Sequence, residues 1–398
     1  MSIDDCLSQE VLSGLNRPTG QAIGLPPELY TSNEFFLFEQ KYLFARRWIF
    51  VATIDEFLEP GTAVPVMVAG RPIVIVSDRN GTIRAFYNTC SHRGTLLVDK
   101  PCHRQTWLRC PYHSWAYWLD GTVKATPNFG GNGVHSHADF DISKHGLTPV
   151  RCETWHRLIF VNLCNEGPSL ADDVAPLETR WPIDYSCLRL GGMRSFEFKA
   201  NWKLVIENFL ESYHLPVIHP GLNSYSPMKD HFNIFVSPNA FGQATKKFAP
   251  KSSINGKTLP EIPNYPPHLH GHGEYPVLFP NLMLGTQSTE FFAVTCEPIG
   301  PELTRERYYL FFAEAAMTDE LADVRNAILD RWFEINIEDV GVVERMQRGR
   351  HCAAWSGGVF APDLEACVHH FEKQVVTAIL EGQSAANAES RRSAYAAE

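Results

Sequence analysis

Four metal-ligand side chains in two short pairs constrain this chain of 398 residues more than any other feature. The first pair is Cys90-Ser91-His92 and the second is Cys110-Pro111-Tyr112-His113, with 17 residues between them. A structural zinc site would place all four ligands on one ion. A two-iron cluster with thiolates on one iron and imidazoles on the other needs one Cys and one His from each pair. The mixed pairs favour the cluster over two alternatives, a zinc site and a disulfide between the two cysteines.

Both pairs lie in short loops that follow β-type runs, in segments 88–94 and 109–115. At these residues the chain resembles the Rieske proteins, although Ser114 stands where those proteins usually have Gly. The resemblance implies a [2Fe-2S] cluster with four ligands: Cys90, His92, Cys110 and His113. It leaves open whether the chain is an electron carrier or an oxygenase.

A second group of metal-binding residues follows in the segment 201–219. His214 and His219 are five residues apart and would lie about 140° from each other around an unbroken α-helix. Pro216 cannot continue the hydrogen-bond ladder, so we expect a helix over 202–215 to kink or end there and let both imidazoles face one point. A carboxylate would then complete the two-His, one-carboxylate set that binds ferrous iron.

Segments 201–219 and 336–349 resemble the catalytic domain of Rieske non-haem iron oxygenase α-subunits. With the cluster pairs, this resemblance covers about residues 40–350. It implies one Fe(II) per subunit with three ligands: His214, His219 and Asp339. Glu338 is the reserve candidate for the carboxylate, and the resemblance also implies catalytic roles for Glu211 and Asn208.

Glu211 precedes His214 by three residues, where this family has an acid that joins two subunits. The resemblance implies an electron path from His113 of one subunit to Glu211 of the next and on to His214. Such head-to-tail contacts close into a ring, so we expect a homotrimer or a multiple of it. Glu at this position is typical of members that resemble the choline, glycine betaine and carnitine oxygenases.

The order of patterns predicts an α+β protein with a small all-β domain inserted near the N-terminus of a catalytic domain of antiparallel sheet and helices. The small Rieske domain is predicted at 45–163, with hairpin turns at Asn80-Gly81 and Asp120-Gly121, and the catalytic domain at 1–44 and 164–398. Further helices are predicted at 33–47 and 320–350, and strands at 194–203, 278–284, 290–298 and 307–314. We expect 248–276 to be irregular and the tail after Gln383 to fray.

Composition narrows the class of partner. A net charge of −10 without a cluster of Lys and Arg argues against a nucleic-acid ligand. No apolar run approaches the roughly 20 residues that span a bilayer, which predicts no membrane insertion. Ten cysteines without regular pairing predict a reducing, cytoplasmic location. The chain has no Gly-x-Gly-x-x-Gly motif after a strand, so NAD(P)H is expected to act through a separate flavin or ferredoxin-type reductase.

The resemblance thus implies a terminal oxygenase component that uses O2 and reductase electrons to oxidise a small organic substrate. The favoured reaction is N-demethylation or hydroxylation of a betaine-like quaternary ammonium compound. The alternatives are hydroxylation or dihydroxylation of an aromatic acid or other ring, and a non-catalytic Rieske electron carrier. A quaternary ammonium needs an aromatic cage, for which the candidates are Phe209, Tyr275, Phe279, Phe291, Phe292, Tyr309, Phe312 and Trp355. An aromatic acid needs a cationic side chain, for which the candidates are Lys203, Lys229 and Arg350.

Overall fold

The computed structural model describes residues 6–250 and 253–395 and divides into two compact units. The small unit is Phe44–Leu170, and the large unit combines Met1–Leu43 with Ala171–Glu398. The small unit is built from β-strands, whereas the large unit combines an antiparallel sheet with helices. The predicted α+β fold class is confirmed. Within the described residues, no helix combines the length and apolar character that crossing a bilayer requires.

The described part of the small unit contains a six-stranded and a three-stranded antiparallel sheet. Its strands are β1 Ile49–Thr53, β2 Ala63–Val68, β3 Arg71–Ser77, β4 Ile83–Tyr87, β5 Trp107–Arg109, β6 Ala116–Trp118, β7 Val123–Ala125, β8 Pro149–Trp155 and β9 Leu158–Asn162. The larger sheet has the order β1-β9-β8-β4-β3-β2, and the smaller is β5-β6-β7. Gly81, in the predicted turn between β3 and β4, has a φ of 77°, a left-handed conformation that Gly adopts without steric cost.

The hydrophobic core of the small unit surrounds the two motif cysteines. Cys90 follows β4 and Cys110 lies between β5 and β6, and both are buried in one apolar cluster. Phe86, Trp115 and Tyr117 are the aromatic members of that cluster. The packing of this core therefore fixes both ligand loops relative to each other.

One seven-stranded antiparallel sheet forms the centre of the described part of the large unit. Its strands are β10 Leu188–Phe198, β11 His231–Ser237, β12 Ala240–Thr245, β13 Gly273–Leu278, β14 Leu282–Thr286, β15 Glu290–Gly300 and β16 Leu303–Ala313. Their order is β10-β16-β15-β14-β13-β12-β11. The α-helices are α1 Gln9–Leu15, α2 Glu28–Thr31, α3 Asn33–Tyr42, α4 Leu170–Arg180, α5 Trp202–Phe209, α6 Leu215–Ile218, α7 Pro220–Tyr225, α8 Ala322–Arg350 and α9 Ala366–Tyr395.

Hydrogen bonds from the long helix α8 fix it against the start of α5. The side chain of Gln347 accepts the backbone N–H of Asn201 at 2.9 Å, and that of Glu344 accepts the N–H of Lys199 at 3.1 Å. The Asn201 side chain in turn caps α5 by accepting the N–H of Lys203 at 3.1 Å. Residues more than 130 positions apart in the sequence are thereby held in register across the two helices.

A buried ion pair joins α3 to α5. The Nζ atom of Lys203 lies 2.6 Å from Oε1 of Glu39, and both side chains are fully buried. The indole Nε1 of Trp202 donates to the other carboxylate oxygen of Glu39 at 3.0 Å. Each charged group therefore has a partner in the apolar interior.

The predicted helix over 202–215 is wrong in its extent. Helix α5 ends at Phe209, and Pro216 lies in the first turn of the separate helix α6. The carboxylate of Glu211 accepts the backbone N–H groups of Tyr213 and His214, so the chain turns before the proline is reached. Proline is tolerated in a first helical turn because its missing N–H would have no partner there.

Other elements differ from the predictions in detail. The predicted strand 278–284 is divided into β13 and β14, because Pro280 has no N–H for a ladder. The predicted strand 194–203 begins earlier, at Leu188, and ends at Phe198 before the cap of α5. The expected fraying after Gln383 is wrong for the described residues, since α9 continues to Tyr395, and 396–398 lie outside them. Helix α8 confirms the helix predicted at 320–350, whereas α3 confirms the helix predicted at 33–47 only as far as Tyr42. Of the segment 248–276, which was expected to be irregular, 273–276 belong to β13 and 251–252 lie outside the described residues.

Candidate active site

The two loops that carry the Cys and His pairs have the same backbone pattern. The N–H of Cys90 donates to the carbonyl of Thr95 at 2.8 Å, and the N–H of Cys110 donates to that of Trp115 at 2.7 Å. Four residues after each cysteine, Gly94 and Ser114 have φ values of 72° and 59°. Ser114 therefore adopts the left-handed conformation usual for Gly, at a cost of about 1–2 kcal/mol.

The side chains of the two loops converge. The rings of His92 and His113 have centroids 4.7 Å apart, and the sulfurs of Cys90 and Cys110 belong to residues only 2% and 1% exposed. Within the described residues, Nδ1 of His113 is buried and has no hydrogen-bond partner. A buried ring nitrogen without a partner fits a metal ligand, because such groups are otherwise hydrogen-bonded. The four residues thus fit the [2Fe-2S] cluster that the spacing favours.

Neighbouring groups surround the cysteine and histidine ligands. Trp115 stacks on His92 with 4.8 Å between ring centroids and 8° between planes. The hydroxyl of Tyr117 lies 3.1 Å from Sγ of Cys90 and accepts the N–H of Ser91. Burial raises the pKa of the Cys90 thiol. A bound metal centre would favour the thiolate in this buried position.

A short turn brings the two histidines of the large unit together. His214 is the N-cap residue of α6 and His219 its C-cap, so their five-residue spacing spans this one short helix. Their ring centroids are 5.0 Å apart. The imidazoles face each other because the chain turns at Glu211 and again after Ile218.

Asp339, from the middle of α8, completes a three-residue group. Its Oδ1 lies 2.9 Å from Nε2 of His219 and 3.6 Å from Nε2 of His214. One ligand atom from each of the three residues lies within 4.8 Å of the others. Two imidazole nitrogens and one carboxylate oxygen with open space beside them are the donor set of non-haem Fe(II).

The far nitrogens of both imidazoles bond to acids. Nδ1 of His214 contacts Oε1 of Glu211, and Nδ1 of His219 lies 2.6 Å from Oε2 of Glu338. Carboxylates in this position fix the tautomer and leave Nε2 free to bind a metal. Glu338, the reserve candidate for the carboxylate ligand, therefore contacts the far side of His219. Asp339, and not Glu338, belongs to the three-residue group.

Charge also prepares His219 for a cation. Burial lowers the pKa of His219, but Asp339 and Glu338 together hold that pKa above its usual value. Asn208 steadies the third group of the triad, because its Nδ2 donates to Oδ1 of Asp339 at 3.3 Å. The negative charge of these carboxylates would also attract a metal cation to this position.

A cavity of about 100 Å³ opens beside this triad. Aromatic rings form much of its wall: Phe198, Phe209, Tyr275, Phe292, Tyr308 and Trp332. Phe292 lies between Tyr308 and Trp332, at centroid distances of 5.0 Å and 4.9 Å. Trp332 and Asp339 are seven residues apart on α8 and share one helix face.

The structure shows which of the candidate substrate-binding side chains line the cavity. Three of the eight proposed rings, Phe209, Tyr275 and Phe292, line the cavity, and the other five do not. Within the described residues, no Lys or Arg lines it. Lys203 is paired with Glu39, Lys229 is exposed, and Arg350 stacks on Trp355.

Sequence reasoning missed several lining residues, among them Phe198, Glu306, Tyr308 and Trp332. Glu306 is the most unexpected, because it is an acid that is only 2% exposed. Burial, together with the nearby Asp339, raises the pKa of Glu306 well above its usual value. The alternation of buried and partly exposed residues along β16 could have indicated this position. Glu306 and Tyr308 are buried, whereas Arg305 and Arg307 are partly exposed.

A second cavity, of about 260 Å³, adjoins the first. Glu211, Asn208 and His214 line both cavities. The second cavity also includes Val359, which is 83% exposed. Glu211 therefore stands between the aromatic cavity and a more superficial cleft.

Comparison with known proteins agrees with this description. The Rieske [2Fe-2S] domain family matches residues 47–153, and the catalytic domain of the ring-hydroxylating alpha subunits matches residues 185–381. The chain belongs to the Rieske non-haem iron oxygenases, so the predicted family, enzyme class and cofactors, a [2Fe-2S] cluster and Fe(II), are confirmed.

The chain is similar to oxygenase subunits named for carnitine and glycine betaine. The carnitine monooxygenase oxygenase subunit of Acinetobacter pittii is 28% identical over 340 residues, which span 83% of this chain and 86% of that protein. The glycine betaine monooxygenase oxygenase subunit of Chromohalobacter salexigens is 35% identical over 199 residues, 50% of this chain and 43% of that protein. A solved quaternary ammonium Rieske monooxygenase, described for carnitine oxidation by gut microbiota and inter-subunit electron transfer, matches with a TM-score of 0.76 at 24% identity. The match covers 92% of this chain and 96% of that one and shows the shared fold.

Proposed function

We propose that this protein is a terminal oxygenase component that hydroxylates a C–H bond next to the nitrogen of a quaternary ammonium compound. One observation carries the proposal: the cavity beside the triad is walled by aromatic rings and an acid, without a cationic side chain among the described residues. Aromatic faces attract a quaternary ammonium by about 0.5–2 kcal/mol per ring. The relatives named for carnitine and glycine betaine support the same class of substrate.

The substrate C–H bond, O2, two electrons and two protons give a C–OH bond and water. Hydroxylation of an N-methyl group would give a hemiaminal, which breaks its C–N bond to release formaldehyde, a tertiary amine and a proton. When bound, the cluster would supply electrons singly and Fe(II) the site of O2 activation.

The protein groups around the triad would orient its ligands. Glu211 and Glu338 hold the Nδ1 side of the two imidazoles, and Asn208 holds one oxygen of Asp339. The aromatic wall would exclude water and place the methyl groups of the substrate near the triad. The contacts of Glu211, Glu338 and Asn208 are present before substrate binds.

We further propose that electrons reach His214 through Glu211 from the cluster of a neighbouring copy. Two observations support this path: Glu211 contacts Nδ1 of His214, and it lines the cleft that reaches the surface. On the donating copy, His113 is half-buried and would be the exit ligand. The path requires head-to-tail contacts, for which a homotrimer is the proposed assembly, and a separate reductase that takes electrons from NAD(P)H.

An aromatic acid is the competing substrate class. Its carboxylate would need a Lys or Arg in the cavity, and the three candidates, Lys203, Lys229 and Arg350, lie elsewhere. The cavity thus favours a cation over an anion. Among the described residues, no Lys or Arg lines the cavity to pair with a benzoate.

The test is a turnover screen of the intact protein with a surrogate reductase and NADH. The panel contains choline, glycine betaine, carnitine and benzoate, and the readouts are substrate-stimulated O2 uptake and identified product. We expect product from at least one trimethylammonium compound in amounts that match O2 uptake. Turnover of benzoate without turnover of any cation would refute the proposal. An oxygenase also requires three irons per chain, whereas an electron carrier would hold two and a zinc protein would not absorb visible light.

A further inference from the structure

Glu306 is a buried acid that lines the aromatic cavity. It lies on β16, is 2% exposed, and lines the same cavity as Asp339 and Tyr308. Its Oε2 atom is buried and, within the described residues, has no hydrogen-bond partner. Such an atom indicates a missing partner, because buried acidic groups are normally paired.

The other buried glutamates show what is missing. Six described glutamates are buried: Glu39, Glu207, Glu274, Glu290, Glu306 and Glu372. Glu39 bonds to Lys203, Glu274 to Arg180 and Glu290 to Arg331, at 2.6 Å, 2.7 Å and 2.8 Å. Glu207 and Glu372 both accept the hydroxyl of Tyr30. Glu306 differs from all five in that it lines the aromatic cavity and, among the described residues, no donor reaches its Oε2 atom.

We propose that Glu306 is the residue that recognises the positive charge of the substrate, which rests on the function proposed above. A quaternary nitrogen carries charge but has no N–H to donate. Its best partners are therefore a carboxylate that needs no directed hydrogen bond and aromatic faces that surround the methyl groups. Glu306 and the adjacent rings of Tyr308 and Phe292 provide both.

The charge balance of the site makes this acid decisive. A bound Fe(II) carries two positive charges, which Asp339 and Glu211 offset with one negative charge each. Glu338 is 47% exposed, so solvent screens it. Without Glu306 the site would therefore offer a cation little electrostatic attraction beyond the rings. A cation in the cavity would favour the ionised form of Glu306 against the effect of burial. The carboxylate would in turn bind a cation in preference to a neutral molecule of the same shape.

The test compares a trimethylammonium substrate with its neutral isostere, in which a tert-butyl group replaces the trimethylammonium group. For choline this isostere is 3,3-dimethylbutan-1-ol. The ratio of kcat/KM for the cation to that for the isostere is measured in the wild-type protein, E306Q and E297Q. Glu297 is the matched control, because it lies on the neighbouring strand β15, pairs with Arg305 at 3.8 Å, and does not line the cavity.

We expect E306Q to lower this ratio by at least about tenfold, mainly because kcat/KM for the cation falls. E297Q should leave the ratio unchanged. Iron content and cluster absorbance show that each variant is folded and loaded. A wild-type ratio in fully loaded E306Q would overturn the inference. If E306Q does not load iron, the test moves to E306D and to inhibition by tetramethylammonium. E306D keeps the charge and should keep the preference, so its loss there would also overturn the inference.

The two proposals fail in different arms of this experiment. If the wild-type protein neither turns over trimethylammonium compounds nor is inhibited by tetramethylammonium, the proposed function is wrong. If the wild-type protein prefers the cation and E306Q does so equally, only the role of Glu306 is wrong.

Discussion

Substitution of Glu211 and Glu338 separates metal binding from electron transfer. Both acids bond to the Nδ1 atom of a triad histidine, Glu211 to His214 and Glu338 to His219. Only Glu211 also lines the cleft towards the surface. The variants E211Q and E338Q keep the size of each side chain and a carbonyl acceptor but remove its charge.

The expected effect on iron binding follows from these contacts. A hydrogen bond to a charged group contributes about 1.5–3 kcal/mol and one between neutral groups about 0.5–1.5 kcal/mol. The difference, about 1–1.5 kcal/mol, corresponds to about five- to tenfold in affinity for Fe(II). Glu338 is 47% exposed and Glu211 only 12%. We therefore expect the loss of Fe(II) affinity to be about fivefold or less in E338Q and about tenfold in E211Q.

The assay is a single turnover with chemically reduced cluster. Each variant is first titrated with Fe(II) to equal iron content, and the decay of the reduced cluster signal is followed after substrate and O2 are added. We expect full recovery of the rate in E338Q. In E211Q the rate should stay lower than iron content explains, because the proposed electron path between subunits runs through Glu211. Equal recovery in both variants would refute an electron-transfer role for Glu211.

Three further predictions concern the metal sites and stability. Asp339→Asn should reduce iron from three to two per chain while the visible spectrum of the cluster persists, as iron analysis and absorbance would show. Ser114→Gly should retain the cluster. Ser114→Val should lose it, because a β-branched residue does not readily adopt the φ of 59° found at this position. Equal cluster absorbance in the two variants would contradict this prediction. Lys203→Met should lower unfolding stability by about 3–5 kcal/mol by leaving Glu39 buried and unpaired, and the double variant with Glu39→Leu should recover much of it in denaturant titrations.

Short spacings in the sequence predicted the residues of the site that lie close together in the chain. The two Cys and His pairs lie within single loops, so their mixture already favoured a two-iron cluster over zinc. His214 and His219 were also recognisable as a pair. The helix between them was predicted wrongly, because Glu211 accepts backbone N–H groups and turns the chain before Pro216.

Residues remote in sequence could not be placed in this way. The position of Asp339 depends on how α8 is fixed against α5 through Gln347 and Glu344. Its assignment as a ligand therefore came from family resemblance. The same limit applied to the aromatic candidates, of which only Phe209, Tyr275 and Phe292 line the cavity.

The sequence by itself determined the two metal-binding motifs, the α+β class and the family, because each depends on residues that are close in the chain. Only the tertiary structure decided which side chains meet beside the triad. It brought Glu306 into the aromatic cavity and kept Lys203 and Arg350 out of it. The physical reason is that a cavity is formed by faces of separate strands and helices, and sheet register and helix packing decide which faces meet.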